Sequence, residues 1–155
     1  MTEPMRDDPV VVTSTQRWQA MGVFVFMLLV LSFPVYKAVE GHRRTDALSA
    51  QSAALITGGK QLWALNCTTC HGINGQGVDA PALNSQEFLT NATDQQIHGI
   101  IAGGVPGTEM SAWWNEYGGP LTDQQITELT AYIRSWQKTA PSVPNWRTPS
   151  QSSGS

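Results

Sequence analysis

The sequence predicts an all-α protein, with a single N-terminal transmembrane helix followed by a small domain of three main helices. Three observations carry this. An uncharged apolar run extends from Trp18 to Tyr36. Two Thr-x-x-Gln capping boxes, at Thr93 and Thr122, each open a stripe of apolar residues at helical spacing. No stretch alternates apolar and polar residues as a half-buried strand does. With 155 residues, the chain has room for one small domain and its extensions. Its 14 glycines and 9 prolines favour long loops between short helices.

Residues 1–16 form a polar tail, with Glu3, Asp7 and Asp8 against Arg6. Residues 17–39 are the transmembrane helix, since about 20 apolar residues suffice to cross a bilayer. Arg17 with Trp18, and Tyr36 with Lys37, match the cations and aromatics that mark the two interfaces. Pro34 is tolerable near the end of such a helix. A cleaved signal peptide would need a basic leading segment and a prompt A-x-A site, and the sequence offers neither. Residues 40–52 are polar and read as a tether. It either partly continues the helix or, as a flexible coil, spans about 20 Å.

Residues 53–138 form the domain. Its first helix covers about 55–66. The second follows the Thr93 box and carries Ile97, Ile100 and Ile101 on one face. The third follows the Thr122 box and carries Ile126, Leu129, Ile133 and Trp136. Glycine-rich loops separate them. Residues 139–155 turn to Pro, Ser, Thr and Gly and form a disordered or surface-draped tail, with Trp146 its one large apolar residue.

The chemistry lies in Cys67-Thr68-Thr69-Cys70-His71. C-x-x-C-H is the pattern for covalent haem attachment. Two thiols at this spacing add across the two vinyl groups of haem, and the adjacent histidine reaches the iron from the same side. A structural zinc site would need four ligands, and no further cysteine exists. A thiol redox pair should sit beside a βαβ pattern, which is absent. The implied cofactor is one covalent haem c.

The surroundings of the motif resemble the class I cytochrome c family, especially single-haem domains of membrane oxidoreductase complexes, over about residues 58–138. Gly59, Trp63 and Cys67 repeat the family's glycine and aromatic at four-residue steps before the motif. In the family that glycine lets the first and last helices cross closely, against an aromatic that Tyr132 or Trp136 supplies here. The resemblance further implies that the Pro81 carbonyl accepts the hydrogen bond of the histidine's outer nitrogen. It makes Met110 the sixth iron ligand opposite His71, within Gly107-Thr108-Glu109-Met110-Ser111-Ala112-Trp113. Ser111 stands where the family has proline, and Trp113 fits the family's packed aromatic, a place in the core, and is counted among the haem-binding residues. His98, at the edge of an apolar stripe, reads as a half-buried surface histidine rather than a ligand.

Iron filled on both axial sides has no open position for a small-molecule substrate. The implied function is one-electron transfer between protein redox partners, as a subunit of a respiratory or photosynthetic complex of the alternative complex III or terminal oxidase type. An opened haem would instead give a peroxidase, and a ligand exchange a haem-based sensor. Nucleic acid is excluded as a partner by a net charge of −3 without a polybasic surface. In the family, haem is attached outside the bacterial cytoplasm. The expected topology is therefore residues 1–16 inside and the domain periplasmic or extracytoplasmic. The flanking cations weakly oppose this, with Arg6 and Arg17 before the span against Lys37, Arg43 and Arg44 after it. The domain's basic residues, Lys60, Arg134 and Lys138, cannot form a steering ring. Docking is expected through an apolar contact that includes Trp114.

Overall fold

The computed structural model describes residues 9–149. It contains five α-helices among these residues: α1 (Pro9–Asn66), α2 (Thr68–His71), α3 (Gln86–Asn91), α4 (Asp94–Gly103) and α5 (Asp123–Ser135). Two 3₁₀ turns, Asn115–Tyr117 and Trp136–Lys138, complete the set. The described residues hold no β-strand, only an isolated bridge between Trp114 and Leu121. The chain divides into two units, with the boundary between Leu48 and Ser49.

In the first unit, one helix is long and apolar enough to cross a membrane. Its large apolar side chains from Trp18 to Tyr36 are exposed throughout, a face that water solvates poorly on every side. Residues 40–52, expected as a polar tether, are helical. Glu40 and Arg44 pair one turn apart at 3.0 Å, and the alanine-rich sequence that follows favours helix.

In the second unit, the C-terminal turns of α1 pack with α4 and α5 around Trp63, Leu89, Ile97, Ile126, Leu129 and Ile133. Both capping boxes form. Thr93 and Thr122 accept from the backbone N–H of Gln96 and Gln125, whose side chains accept in return. At Gly59, α1 and α5 approach so closely that a Cβ would overlap the Glu128 carbonyl and lie 2.8 Å from Tyr132 Cβ. Trp63 sits beneath this crossing, edge-on to Trp136 at 5.1 Å and to Tyr132 at 6.1 Å between ring centroids.

Helix α3 was not foreseen from the sequence. Ser85 is fully buried and accepts from the Phe88 N–H at its N-terminus, while Phe88 and Leu89 enter the core. The Arg134 guanidinium closes the other end, donating to the carbonyls of Leu89 and Ala92 and pairing with Asp94.

The described part of the tail, 139–149, is packed rather than disordered. The Gln86 N–H donates to the Pro141 carbonyl at 2.9 Å, and the Ala82 N–H to the Trp146 carbonyl at 2.8 Å. The Glu87 carboxylate accepts from the Ser142 hydroxyl and the Val143 N–H. Trp146 lies against Phe88, with centroids 5.0 Å apart. These contacts make a strap over the second unit.

Candidate haem site

Helix α1 ends at Asn66, and the next residue, Cys67, opens the single turn of α2. The His71 N–H donates to the Cys67 carbonyl at 3.0 Å, so both thiols and the imidazole ride on adjoining turns. The following loop folds back on the motif. The Cys70 carbonyl accepts from the N–H groups of Val78, Asp79 and Ala80, and the His71 carbonyl from Gly77. The Trp63 indole N–H is shared between the carbonyls of Gly72 and Ile73, both at 3.2 Å. Cys67 and Cys70 form no disulfide. Burial, with Cys70 nearby, pushes the Cys67 thiol up to about 11.

His71 Nδ1 lies 2.9 Å from the Pro81 carbonyl oxygen. A carbonyl only accepts, so Nδ1 carries the proton. In the neutral ring that leaves the Nε2 lone pair free for a metal. Burial lowers the His71 pKa against the opposing pull of the Pro81 bond, which favours this neutral form.

Beside His71 opens a cavity of ≈ 770 Å³. This lies within the range of about 300–1,000 Å³ typical of cofactor clefts. Met110 lines the same cavity, as do Pro81 and the apolar side chains of Leu83, Phe88 and Ile100. Ile100, on the predicted stripe of α4, is 45% exposed while Ile97 and Ile101 are buried. An apolar side chain left open on a cavity wall fits an apolar occupant. A neutral imidazole and a thioether on the cavity wall can ligate iron, and Cys67 and Cys70, outside the cavity lining but on the turn that carries His71, can bond to the vinyl groups; these residues fit a haem.

The Met110 loop is held from both sides. The Val105 N–H donates to the Met110 carbonyl at 2.8 Å, and the Met110 N–H to the Thr108 hydroxyl at 3.2 Å. Gly104 has φ +69°, and a Cβ there would meet the Met110 carbonyl at 2.5 Å. The Ser111 N–H donates to the Glu109 carbonyl at 3.0 Å, a bond that proline could not make.

Trp113 packs against the core and is not among the cavity-lining residues; its backbone N–H donates to the Ile101 carbonyl and its carbonyl accepts from the Leu121 N–H. Trp114 is half-buried and edge-on to Tyr117 at 4.9 Å, so the exposed aromatic here is Tyr117. His98 Nε2 lies 3.1 Å from Asp123 Oδ1, joining α4 to the start of α5 away from the cavity lining. Trp146, Arg147 and Pro149 of the strap line the cavity, which the composition of the tail did not suggest.

The family model for cytochrome c matches residues 56–137. The chain belongs to the cytochrome c family, whose domain carries covalently bound haem c. It is 35% identical over 91 residues to the cbb3-type cytochrome c oxidase subunit CcoP of Azospirillum sp. (strain B510), covering 52% of this chain and 30% of that protein. It is 32% identical over 97 residues to the cbb3-type oxidase subunit FixP of Sinorhizobium medicae (strain WSM419), covering 58% and 32%. The matched segments thus span about a third of the length of these curated relatives. Cytochrome CL from Methylophaga aminisulfidivorans MPT is 29% identical, with a TM-score of 0.46 over 54% of this chain and 55% of that one.

Proposed function

We propose that the chain is a membrane-anchored single-haem cytochrome c that passes electrons between protein partners in a terminal oxidase complex of the cbb3 type. The observation that carries this is the meeting of His71 and Met110 on one apolar cavity, with the histidine tautomer set by Pro81. When bound, haem supplies one-electron chemistry, with its iron alternating between Fe(II) and Fe(III).

The chain's own residues do the rest. Cys67 and Cys70 hold the group covalently. His71 and Met110, both on the cavity wall, would hold the iron, and ligands that stay bound in both redox states would keep reorganisation small. Pro81 fixes the imidazole ring, and the bonds around Gly104 and Thr108 fix the methionine loop. The apolar walls exclude water, which together with the thioether ligand favours the reduced state. The span over residues 17–39 anchors the domain, residues 1–16 stay in the cytoplasm, and the domain lies on the periplasmic or extracytoplasmic side, where haem is attached. The cbb3 relatives favour a terminal oxidase over alternative complex III as host.

The test is Met110→Ala in the haem-loaded full chain. The weak methionine–iron absorption of the oxidised protein should vanish, the potential should fall and the iron should bind cyanide. An unchanged spectrum and no cyanide binding would move the sixth ligand elsewhere. Mild-detergent purification should bring haem–copper oxidase subunits with the chain; their absence, with another complex in their place, would overturn the choice of host.

A further inference from the structure

The strap over residues 139–149 lies beyond the segment matched by the cytochrome c family model, yet it forms part of the cavity wall. Its position is fixed at three points: the Pro141 carbonyl on the Gln86 N–H, the Glu87 carboxylate on Ser142 and Val143, and the Trp146 carbonyl on the Ala82 N–H. Held there, Trp146 and Arg147 both face the cavity. The Arg147 guanidinium stacks on the Trp146 ring at 4.4 Å from its centroid.

Arg147 is the one Lys or Arg among the cavity-lining residues, whose other charged members are the carboxylates of Asp79 and Glu109. Elsewhere in the domain, Arg134 is committed to α3 and Asp94. Arg147 itself shows only its stacking contact among the described residues. Haem is apolar over most of its surface but carries two propionate carboxylates at one edge. Asp79 and Glu109 alone would repel those carboxylates, and a cation in the same lining offsets that charge. A planar guanidinium suits a carboxylate because two parallel N–H groups can be donated at once.

We propose that Arg147 is a haem-binding residue. It reaches from the C-terminal strap to pair with a propionate of the haem, with Trp146 holding the guanidinium flat. This rests on the haem reading above. The strap thereby tunes the potential: a cation at the haem edge stabilises the electron added on reduction, and it keeps its propionate ionised across neutral pH.

The experiment is redox titration of the haem-loaded full chain between pH 5 and 8, comparing the natural protein with Arg147→Gln and Arg147→Lys. Arg147 is exposed, so neither change threatens the fold. Arg147→Gln should lower the potential at pH 8. It should also bring in a pH-dependent segment between about pH 5 and 7, as the freed propionate takes up a proton nearer neutrality. Arg147→Lys should restore most of the potential and remove that segment. A potential that shifts uniformly without a new pH dependence, or does not shift at all, would overturn the proposal. Haem staining and the low-spin spectrum should persist in both variants; their loss from the natural protein would refute the haem reading instead.

Discussion

Alanine at Gly59 and alanine at Gly99 are the same chemical change, and the structure predicts opposite effects. Both glycines lie in helices, where alanine is better by about 1 kcal/mol. Around Gly99 on α4, an added Cβ meets nothing within 4 Å. Gly99→Ala should therefore gain most of that propensity. At Gly59 the added Cβ overlaps the Glu128 carbonyl and crowds Tyr132 Cβ at 2.8 Å. The clash is with backbone on one side, so no rotamer change relieves it, and α1 and α5 must move apart. Overpacking of this kind costs about 1–3 kcal/mol, and a backbone overlap belongs at the upper end. After the propensity gain, Gly59→Ala should destabilise by about 1–2 kcal/mol. For a domain of this size that lowers Tm by roughly 5–15 °C. Thermal melts of the haem-loaded full chain in detergent, followed by circular dichroism, read both variants. A Gly59→Ala protein that melts at or above the natural protein would refute the close crossing.

Two further outcomes follow from the hydrogen bonds. Ser142 and then Val143 hold the Glu87 carboxyl below its usual range, so the clamp on the strap is at full strength above about pH 4.5 and is lost as pH falls through the lowered value. The protection factor of the Val143 amide, with exchange referred to the intrinsic rate at each pH, should fall on acidification, and Glu87→Gln should show the lower protection already at neutral pH; equal protection in both proteins would contradict the clamp. Trp63→Phe leaves the carbonyls of Gly72 and Ile73 without the indole donor, one of these bonds being buried. It should cost about 1–3 kcal/mol in thermal or denaturant unfolding, and a neutral result would contradict this tie.

What could be read in the sequence was whatever local spacing encodes. The capping boxes at Thr93 and Thr122 are reciprocal bonds between residues three apart, so they form wherever a helix starts there. The haem motif is likewise contiguous, and through the family resemblance the glycine before it pointed to the helix crossing seen at Gly59. Helix α3 was missed because its six residues hold only one apolar pair, Phe88 and Leu89, and its ends are closed by buried Ser85 and by Arg134 from far along the chain. Residues 40–52 continue the helix, one of the two conformations that their polar sequence left open. The strap was illegible for a different reason. Its Pro and Ser residues have no period, and its order comes from the distant residues Ala82, Gln86 and Glu87, the last 55 residues from Ser142 in sequence. In the site, His71, Pro81 and Met110 line one cavity; Pro81 and Met110 had been pointed to by the family resemblance and not by local spacing, while Trp113 lies against the core, its backbone tied to Ile101 and Leu121.

The central claim is that this chain holds its haem through Cys67 and Cys70. The most direct measurement is the haem signal of the denatured full chain on a gel, with iron quantified per chain, after expression with haem-attachment machinery. The natural protein should retain one haem and one iron per chain, and the variant with serine at both cysteines should show no stain. A natural chain that releases its haem on denaturation, or a double variant that keeps it, would contradict the claim.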